Sequence, residues 1–308
     1  MPPVIAAEHL QKRYKDFVAV ADASFVVERG EIFGLLGSNG AGKTTSVECL
    51  QGLRHADGGT LRVLGLDPLT QARELRRRIG SQLQEAALPD HVRVWEALDL
   101  FSSITPGGRD WREVMEQWGL TDKRKASFHS LSGGQRQRLF VALALVNSPE
   151  VVFLDEMTTG LDPASRHVAW DLVRRVRDMG TTVVLVTHFM EEAERLCDRI
   201  GIIDEGRIQA EGTRRELVEL IGGRDRVTLV ASGPLGQAAV EIRALDPRID
   251  EVTAGDGAIE ILVTEARSIL PAILSTAASA GATIRTVEVV EPDLEAVFLH
   301  LTGKALRD

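Results

Sequence analysis

The first part of the chain alternates between short apolar runs and stretches in which apolar residues recur at helical spacing. Apolar, often β-branched runs are typical of buried strands, whereas apolar residues three and four apart predict amphipathic helices. The predicted strands are residues 4–7, 23–28, 31–36, 58–65, 79–84, 151–154, 181–187, 200–204 and 207–210. The predicted helices are residues 70–78, 94–104, 111–118, 135–146, 163–179, 190–197 and 213–221, with one more beginning at Ser46, and residues 8–16 are predicted to form a polar turn. This alternation predicts an α/β fold with a largely parallel sheet.

A second pattern begins after Gly222-Gly223. Its predicted strands are residues 227–231, 249–254, 258–263 and 283–290, and its predicted helices are residues 235–245, 266–280 and 294–301. The order βαββαβ indicates a small α+β sandwich of the split βαβ type. We therefore expect two domains, residues 1–221 and 222–308, with a mainly helical subdomain at about 85–147 inside the first. The second domain contains no constellation of catalytic residues.

Composition and charge narrow the classes of function. Of the 308 residues 44% are hydrophobic, and the formal net charge is −9. This acidic balance disfavours a general nucleic-acid binder, whose affinity comes largely from neutralising phosphates. Cys49 and Cys197 have neither disulfide-framework nor metal-ligand spacing, which favours a reducing cytoplasm. We see no signal peptide and no run of the roughly 20 apolar residues that span a bilayer, so we expect any membrane location to depend on a partner.

A phosphate-binding motif lies between a predicted strand and a predicted helix. The stretch Gly37-Ser38-Asn39-Gly40-Ala41-Gly42-Lys43-Thr44-Thr45 matches G-x-x-x-x-G-K-[ST]. Glycines let backbone N–H groups approach phosphate oxygens, and the helix N-terminus adds a positive potential. In this motif Lys43 binds the β- and γ-phosphates and Thr44 ligates Mg²⁺. The alternative, a glycine-rich turn with a chance lysine, is disfavoured by four fixed positions in the expected setting.

Other candidate residues follow predicted strands. Asp155 and Glu156 come after the strand at 151–154, where in a P-loop protein the first carboxylate can hold Mg²⁺ and the second can act as general base on the attacking water. An acidic loop start is the alternative. Gln84 and His188 each end a predicted strand, and a single Gln or His at such a place is more often an ordinary polar residue.

The stretch Leu131-Ser132-Gly133-Gly134-Gln135 precedes a predicted helix and favours a second anion site. The phosphate loop already serves the chain's own nucleotide. The natural interpretation is therefore that this site caps the nucleotide of another subunit. The alternative is that Ser132 simply caps the helix.

Taken together, these motifs occur in a characteristic order. The order is the phosphate loop, Gln84, residues 131–135, Asp155-Glu156, Gly160-Leu161-Asp162 and His188. Over about the first 220 residues the chain thus resembles the nucleotide-binding subunits of ATP-binding-cassette (ABC) transporters, and the stretch 131–135 is the signature specific to ABC ATPases among P-loop proteins. The resemblance implies a P-loop α/β core with an antiparallel β subdomain and a helical subdomain.

The resemblance also implies a role for each matched residue. Tyr14 would stack on adenine, and residues 37–45 would hold the phosphates of ATP. Gln84 would reach Mg²⁺, the attacking water and the membrane partner, and Asp155 would support Mg²⁺. Glu156 would be the base and His188 would contact the γ-phosphate. The signature residues would close over the ATP bound by the opposite subunit of a dimer, and Asp162 would link the two sites. The signature residues are Ser132, Gly133, Gly134 and Gln135. Ser38 and Met157 stand where proline is frequent, and neither side chain carries chemistry.

The ending of the chain narrows the subtype. Residues 292–303 resemble the C-terminus of ABC ATPases of the daunorubicin/multidrug-resistance export type, which pair with a separately encoded permease. The resulting hypothesis is an ATP- and Mg²⁺-dependent subunit that dimerises on ATP and drives an integral-membrane permease at the cytoplasmic face of the membrane, with drugs or other hydrophobic cargo exported.

Two other functions are weighed against export. A soluble ABC ATPase acting on ribosomes or nucleic acid is disfavoured by the single cassette and the acidic charge. A non-catalytic nucleotide sensor conflicts with the presence of both Glu156 and His188.

Overall fold

The computed structural model describes residues 2–82, 87–104 and 109–303, which form two compact units divided between Arg214 and Arg215. The described residues of the first unit contain one sheet of nine strands flanked by helices. The strands are β1 (Ile5–Tyr14), β2 (Phe17–Val27), β3 (Ile32–Leu36), β4 (Gly58–Val63), β5 (Ile79–Gln82), β6 (Val151–Asp155), β7 (Thr182–Thr187), β8 (Arg199–Asp204) and β9 (Arg207–Gly212). The helices are α1 (Lys43–Leu50), α2 (Ala72–Leu75), α3 (Val94–Ile104), α4 (Trp111–Gln117), α5 (Gly133–Leu145), α6 (Pro163–Asp178) and α7 (Met190–Leu196).

The sheet of the first unit has a parallel core and an antiparallel flank. Its strand order is β4-β1-β2-β9-β8-β3-β7-β6-β5. The strands from β8 to β5 in this order pair in parallel, whereas β9 pairs antiparallel with β8, and β1 pairs antiparallel with β2 and β4. β3, β6 and β7 are buried along their whole length, as expected for strands covered on both faces. The predicted α/β fold is confirmed, and the carboxyl ends of β3, β6 and β7 lie at one edge of the sheet.

The predicted helical subdomain is present between β5 and β6. Its helices α3, α4 and α5 contribute to one apolar cluster that continues onto α6, β6 and β7. Trp111 and Trp118 are buried in this cluster. These two tryptophans are therefore core residues of the subdomain, and Trp95 packs against the same cluster while partly exposed. Among the described residues, no helix combines the length and apolar character that crossing a bilayer requires.

The second unit is a small α+β sandwich. Its strands are β10 (Asp225–Ser232), β11 (Ile249–Gly255), β12 (Ala258–Val263) and β13 (Thr283–Val290), and its helices are α9 (Leu235–Arg243), α10 (Ala266–Ser279) and α11 (Leu294–Thr302), while α8 (Arg214–Leu220) begins at the division itself. The strands form an antiparallel sheet in the order β11-β12-β10-β13. One face of this sheet packs against α9 and α10. The βαββαβ order predicted from the sequence is the order observed.

The first strand is longer than predicted. Residues 8–14 belong to β1 rather than to a polar turn, and the turn itself consists of Lys15 and Asp16. β1 pairs with a strand on each side, and register shifts after Ala7 and Leu10 interrupt its alternation of buried and exposed residues. Such irregularities remove the period of two by which a strand is recognised in a sequence.

The helix predicted at residues 70–78 is also wrong, because the structure forms a single helical turn, Ala72–Leu75. Asp67 Oδ1 accepts hydrogen bonds from the backbone N–H groups of Leu69 and Thr70, so the segment begins as a turn. At the other end, the carbonyl of Arg78 accepts a hydrogen bond from the N–H of Glu150, directly before the residues of β5 that pair with β6. Arg78 therefore belongs to the start of the strand pairing and not to a helix. β5 is described as far as Gln82, and the predicted strand end at Gln84 lies outside the described residues.

Candidate nucleotide-binding and catalytic site

The phosphate loop connects β3 to α1, and its path requires glycine at several positions. Gly40 and Gly42 have φ of +83° and +101°, in the left-handed region that favours glycine. A Cβ on Gly42 would lie 2.4 Å from the carbonyl oxygen of Ala19, and one on Gly37 would lie 2.3 Å from that of Ile203. Gly42 is the N-cap of α1 and has no side chain with which to cap it. The N–H groups of the first turn and the helix dipole therefore favour a bound anion.

The Lys43 side chain folds back along this loop. Its Nζ donates hydrogen bonds to the carbonyl oxygens of Gly37 at 2.9 Å and Ser38 at 3.0 Å, and it lies 3.7 Å from Oε1 of Glu156. Burial lowers the pKa of Lys43, while the charges of Glu156 and Asp155 oppose that shift. The ammonium group is thus held between the loop carbonyls and the carboxylate predicted to be the general base.

Asp155, the last residue of β6, is a buried carboxylate with spare bonding capacity. It is 2% exposed, and within the described part of the chain its Oδ1 has no hydrogen-bond partner. Burial raises the pKa of Asp155 to about 6, which a hydrogen bond from the Thr44 side chain partly opposes. Hard divalent cations prefer oxygen donors such as these two side chains. The residues predicted to hold Mg²⁺ at this place therefore fit it, whereas Gln84, the third predicted ligand, lies outside the described residues.

Glu156 and His188 meet at the carboxyl ends of two neighbouring strands, β6 and β7. Nδ1 of His188 lies 3.2 Å from Oε1 of Glu156. Glu156 has φ of +47°, a left-handed conformation that is rare for a residue with a side chain and concentrates at functional sites. Its backbone N–H donates to the carbonyl of Val186 at 2.9 Å, which fastens the turn to β7. The structure thus unites three of the predicted catalytic residues, Lys43, Glu156 and His188.

The signature residues form the start of α5. The Ser132 side chain accepts the N–H of Gln135 at 3.4 Å, and Gln135 Oε1 accepts the N–H of Ser132 at 3.1 Å. This is a capping box, so the alternative interpretation of Ser132 as a helix cap is correct as a description of local structure.

The signature also borders a cavity of about 400 Å³. The lining residues are Ser132, Gly133, Gly134, Gln135, Arg138, Gly160, Leu161, Asp162, Ser165 and Val168. Asp162 caps α6 by accepting the N–H and the hydroxyl of Ser165 at 3.0 and 2.6 Å, and these bonds lower its pKa, the hydroxyl bond most. The structure therefore groups the signature with Asp162.

A different cavity, of about 260 Å³, contains the phosphate loop. Its lining residues are Phe17, Ala19, Asn39, Gly40, Gly42, Lys43, Thr44, Thr45 and Glu156. Tyr14, the predicted adenine-stacking residue, does not belong to this lining, and its ring lies 5.3 Å from Lys12 Nζ and 5.9 Å from the Arg54 guanidinium. Phe17 pairs with Tyr14 across the β1–β2 turn, and it is 59% exposed. Phe17 was not predicted from the sequence, where the available signal was an aromatic residue beside a turn near the motif.

A buried hydrogen bond that was not predicted from the sequence joins β5 to the signature helix. Gln137 Nε2 donates to Gln82 Oε1 at 3.3 Å, and both side chains are buried. Gln137 follows the signature by two residues, and Gln82 precedes Gln84 by two. This bond therefore links the segments that carry two predicted functional motifs.

The geometry of the phosphate loop, the catalytic carboxylate and the signature agrees with comparisons to known proteins. A family model described as ABC transporter matches residues 20–159. The linearmycin resistance ATP-binding protein of Bacillus subtilis is 36% identical over 312 residues, which cover 99% of this chain and 100% of that protein. The chain belongs to the ABC transporter family. This ABC protein has the ATP-binding domain of that family, with ATPase activity, and the resemblance inferred from its motifs is confirmed.

Two other relatives match this ABC protein over nearly its whole length, and one solved structure matches most of it. A daunorubicin resistance ATP-binding protein of Streptomyces coeruleorubidus is 39% identical, with 97% of this chain and 96% of that protein covered. The Nod factor export ATP-binding protein I of Ralstonia nicotianae is 38% identical, with 99% and 96% covered. The structure of an ATP-binding subunit of an ABC transporter superimposes with a TM-score of 0.64 at 25% identity, covering 71% of this chain and 93% of that one. The first unit therefore has the fold of an ABC ATPase cassette.

Proposed function

We propose that this ABC ATPase is the energy-coupling subunit of an exporter, in which two copies close over two ATP molecules and drive a separate membrane permease. One observation carries the proposal. The carboxylate of Glu156 lies 3.2 Å from His188 and 3.7 Å from Lys43 in the cavity of the phosphate loop. This arrangement combines a general base, a group that orients it and a cation for the phosphates.

The proposed reaction is hydrolysis of the γ-phosphate of ATP. A water oxygen forms a bond to the γ-phosphorus while the bond from that phosphorus to the bridging oxygen breaks, and Glu156 takes the proton that the water loses. His188 would hold in place the carboxylate that receives this proton. Lys43, whose Nζ lies 3.7 Å from that carboxylate, would stabilise the negative charge that develops on the phosphate. Mg²⁺ bound by Thr44 and Asp155 would neutralise charge on the β- and γ-phosphates.

The proposed dimer is supported by the position of the signature. Ser132 and Gln135 border a cavity with Asp162, while Lys43 and Thr44 border another, so neither cavity contains both motifs of one chain. An ATP molecule on the phosphate loop would receive signature contacts from a second copy. Asp162, in the same cavity as the signature, would link the two composite sites.

The cargo and the membrane location are proposed from the relatives. Their names refer to linearmycin resistance, daunorubicin resistance and Nod factor export. We extend this to drugs or other hydrophobic cargo, and to a position at the cytoplasmic face of the membrane through the permease. In this scheme residues 1–221 form the ATPase domain and residues 222–308 an accessory domain.

The dimer is tested with the Glu156→Gln variant, which removes the proton acceptor and keeps the size of the side chain. With saturating ATP and Mg²⁺, light scattering coupled to gel filtration should detect a dimer. Adding Ser132→Arg should prevent that dimer while each chain still binds ATP, and adding Lys43→Ala should prevent ATP binding as well. A Glu156→Gln protein that binds ATP and stays monomeric would contradict the proposed composite site.

The alternative function, a soluble ATPase acting on ribosomes or nucleic acid, calls for a separate test. We would purify the tagged chain from detergent-extracted membranes. A stoichiometric membrane-spanning partner that stimulates ATP hydrolysis supports the exporter. Ribosomes or nucleic acid in the same fraction, with no membrane partner, would favour the alternative.

A further inference from the structure

A buried carboxylate outside the predicted site lies on α7, four residues after His188. Glu192 has no exposed surface. Its Oε1 accepts a hydrogen bond from the indole Nε1 of Trp170, on α6, at 3.2 Å. Trp170 is itself buried. An acidic side chain at such a place carries a desolvation cost that an apolar side chain would not.

Two buried threonines approach the same carboxylate. Burial raises the pKa of Glu192, and the polar side chains of Thr187, Thr158 and Trp170, together with the charge of Arg166, oppose that shift. Among the described residues, however, Oε2 of Glu192 and Oγ1 of Thr158 both lack a hydrogen bond of normal geometry. The two groups are therefore close enough to interact electrostatically and are incompletely satisfied.

The neighbours of Glu192 belong to the three segments that carry the proposed site. Thr158 follows Glu156 by two residues and begins the run that leads to Asp162. Thr187 precedes His188, and its hydroxyl accepts the N–H of Phe189 at 3.0 Å. Trp170 lies on α6, the helix that Asp162 caps. A single carboxylate thus accepts a hydrogen bond from the helix that Asp162 caps, and it interacts electrostatically with a threonine beside His188 and with another two residues after Glu156.

A second contact ties α6 to the turn that carries His188. The guanidinium of Arg166 lies 4.6 Å from the ring centroid of Phe189, whose ring in turn lies 4.1 Å from that of His188. Movement of α6 relative to α7 would therefore disturb both Glu192 and the histidine. The same Arg166 also acts on Glu192 through its charge, so the two contacts belong to one cluster.

We propose that Glu192 is a positioning residue that holds the turn of His188 in register with residues 156–162, so that a shift of the Asp162 segment changes the geometry of the Glu156–His188 pair. The inference rests on the proposed catalytic roles of those two residues. Glu192 is fully buried and lines neither the phosphate-loop cavity nor the signature cavity, so it would act only through the residues that it positions. Oε2 of Glu192 is incompletely satisfied, so Thr158 can form or break a hydrogen bond with it when the segment of residues 156–162 moves.

The test compares Glu192→Leu with Glu192→Gln in the full chain. Leucine removes the polar contacts while filling a similar volume, and glutamine keeps an acceptor for Trp170 and adds a donor for Thr158. We expect Glu192→Leu to fold, because removing the buried carboxylate relieves its desolvation cost and offsets the loss of an acceptor for the Trp170 N–H. The variant should lower kcat at least tenfold, with KM for ATP within about twofold. Glu192→Gln should restore at least a third of kcat. If leucine retains the kcat of the original protein, the residue is merely structural and the inference is wrong.

Further variants keep the test decisive. If Glu192→Leu does not fold, Thr158→Val replaces it, with a smaller expected loss of kcat at constant KM, and an unchanged kcat would again overturn the inference. In a His188→Ala background Glu192→Leu should cause little additional loss, because both changes disable one unit, and multiplicative losses would contradict positioning through His188. A Glu156→Gln variant with normal turnover in the same assay would instead overturn the proposed function itself.

Discussion

Nδ1 of His188 lies 3.2 Å from Oε1 of Glu156, although 32 residues separate the two along the chain. They meet because β6 and β7 are neighbouring parallel strands that end together. The turn at Glu156 has a left-handed φ of +47°, and its N–H is bonded to Val186 of β7. Strand pairing and a strained turn thus form the pair, which is the arrangement expected where a carboxylate must be aimed at a substrate.

Replacing His188 with alanine should lower kcat about 10- to 100-fold, because Glu156 would lose the group that orients it. The dissociation constant for ATP should change by less than about threefold. The measurements are steady-state phosphate release and binding of a fluorescent ATP analogue. His300→Ala, at an exposed histidine on α11, is the matched control and should behave as the original chain does. Equal turnover in both variants would show that the contact with Glu156 has no catalytic role.

Replacing Lys43 with alanine should weaken ATP binding at least about thirtyfold. Hydrogen bonds from a charged group contribute about 1.5–3 kcal/mol each, and Lys43 would redirect such bonds to the phosphates. Isothermal titration with ATP measures the loss. Lys125→Ala removes an exposed lysine and serves as the control for net charge. Unchanged affinity of Lys43→Ala would refute the assignment of the phosphate loop.

Two neighbouring aromatics compete for the role of base-stacking residue. The resemblance predicts Tyr14, whereas the lining of the phosphate-loop cavity contains Phe17. Stacking of a base on an aromatic ring contributes about 1–3 kcal/mol, so we expect Phe17→Ala to raise the dissociation constant for ATP about 5- to 150-fold and Tyr14→Ala to raise it less. Inorganic triphosphate, which has no base, should bind both variants equally. A larger effect of Tyr14→Ala would favour the role implied by the family resemblance.

Much of the fold could be predicted because its signals are local. β3, β6 and β7 are buried throughout and therefore appear as uninterrupted apolar runs. The start of α5 was predictable from Ser132 and its glycines, since capping depends on residues within one turn. The motif order then predicted a set of candidate site residues, two of which, Glu156 and His188, lie together at the paired ends of β6 and β7.

The remaining features depend on contacts between distant segments. The partner of Gln137 is Gln82, 55 positions away, and that of Glu192 is Trp170, 22 positions away. The spacing of apolar residues in the sequence predicts neither that such a polar side chain is buried nor which distant residue forms its hydrogen bond. Phe17 was missed for a related reason, because the cavity that it lines is formed by the packing of β2 against the phosphate loop.

The Gln82–Gln137 bond yields a prediction about stability. Gln137→Leu should lower the free energy of unfolding by about 1–3 kcal/mol, because the Gln82 amide would stay buried without its donor. Gln82→Leu/Gln137→Leu should recover part of that loss, since replacing both partners removes the unsatisfied group. Urea unfolding followed by tryptophan fluorescence measures the change. A double variant whose loss of stability equals the sum of the two single losses would show that the bond does not couple the two residues.

The Cys49 thiol on α1 should be unreactive in the folded protein. It is 1% exposed, and burial raises its pKa from 9.0 to about 11. That shift alone lowers the thiolate fraction at pH 8 about a hundredfold, and the thiolate is the reactive form. Iodoacetamide labelling at pH 8, quantified by mass spectrometry of the Cys49 peptide, should therefore be more than 100-fold slower in the folded chain than in urea.

The same shift has a defined sign in stability. Above pH 9 the unfolded chain loses the Cys49 proton while the folded chain retains it, so stability falls as the pH rises towards 11, by up to about 2–3 kcal/mol. Cys49→Ala should lack this contribution. The free energy of unfolding of the original protein should therefore fall relative to that of Cys49→Ala between pH 8.5 and pH 10.5. Where Cys49→Ala is the less stable protein at pH 8.5, the difference between the two narrows. A constant difference across that range, or rapid labelling of the folded chain, would mean that the thiol is accessible to solvent.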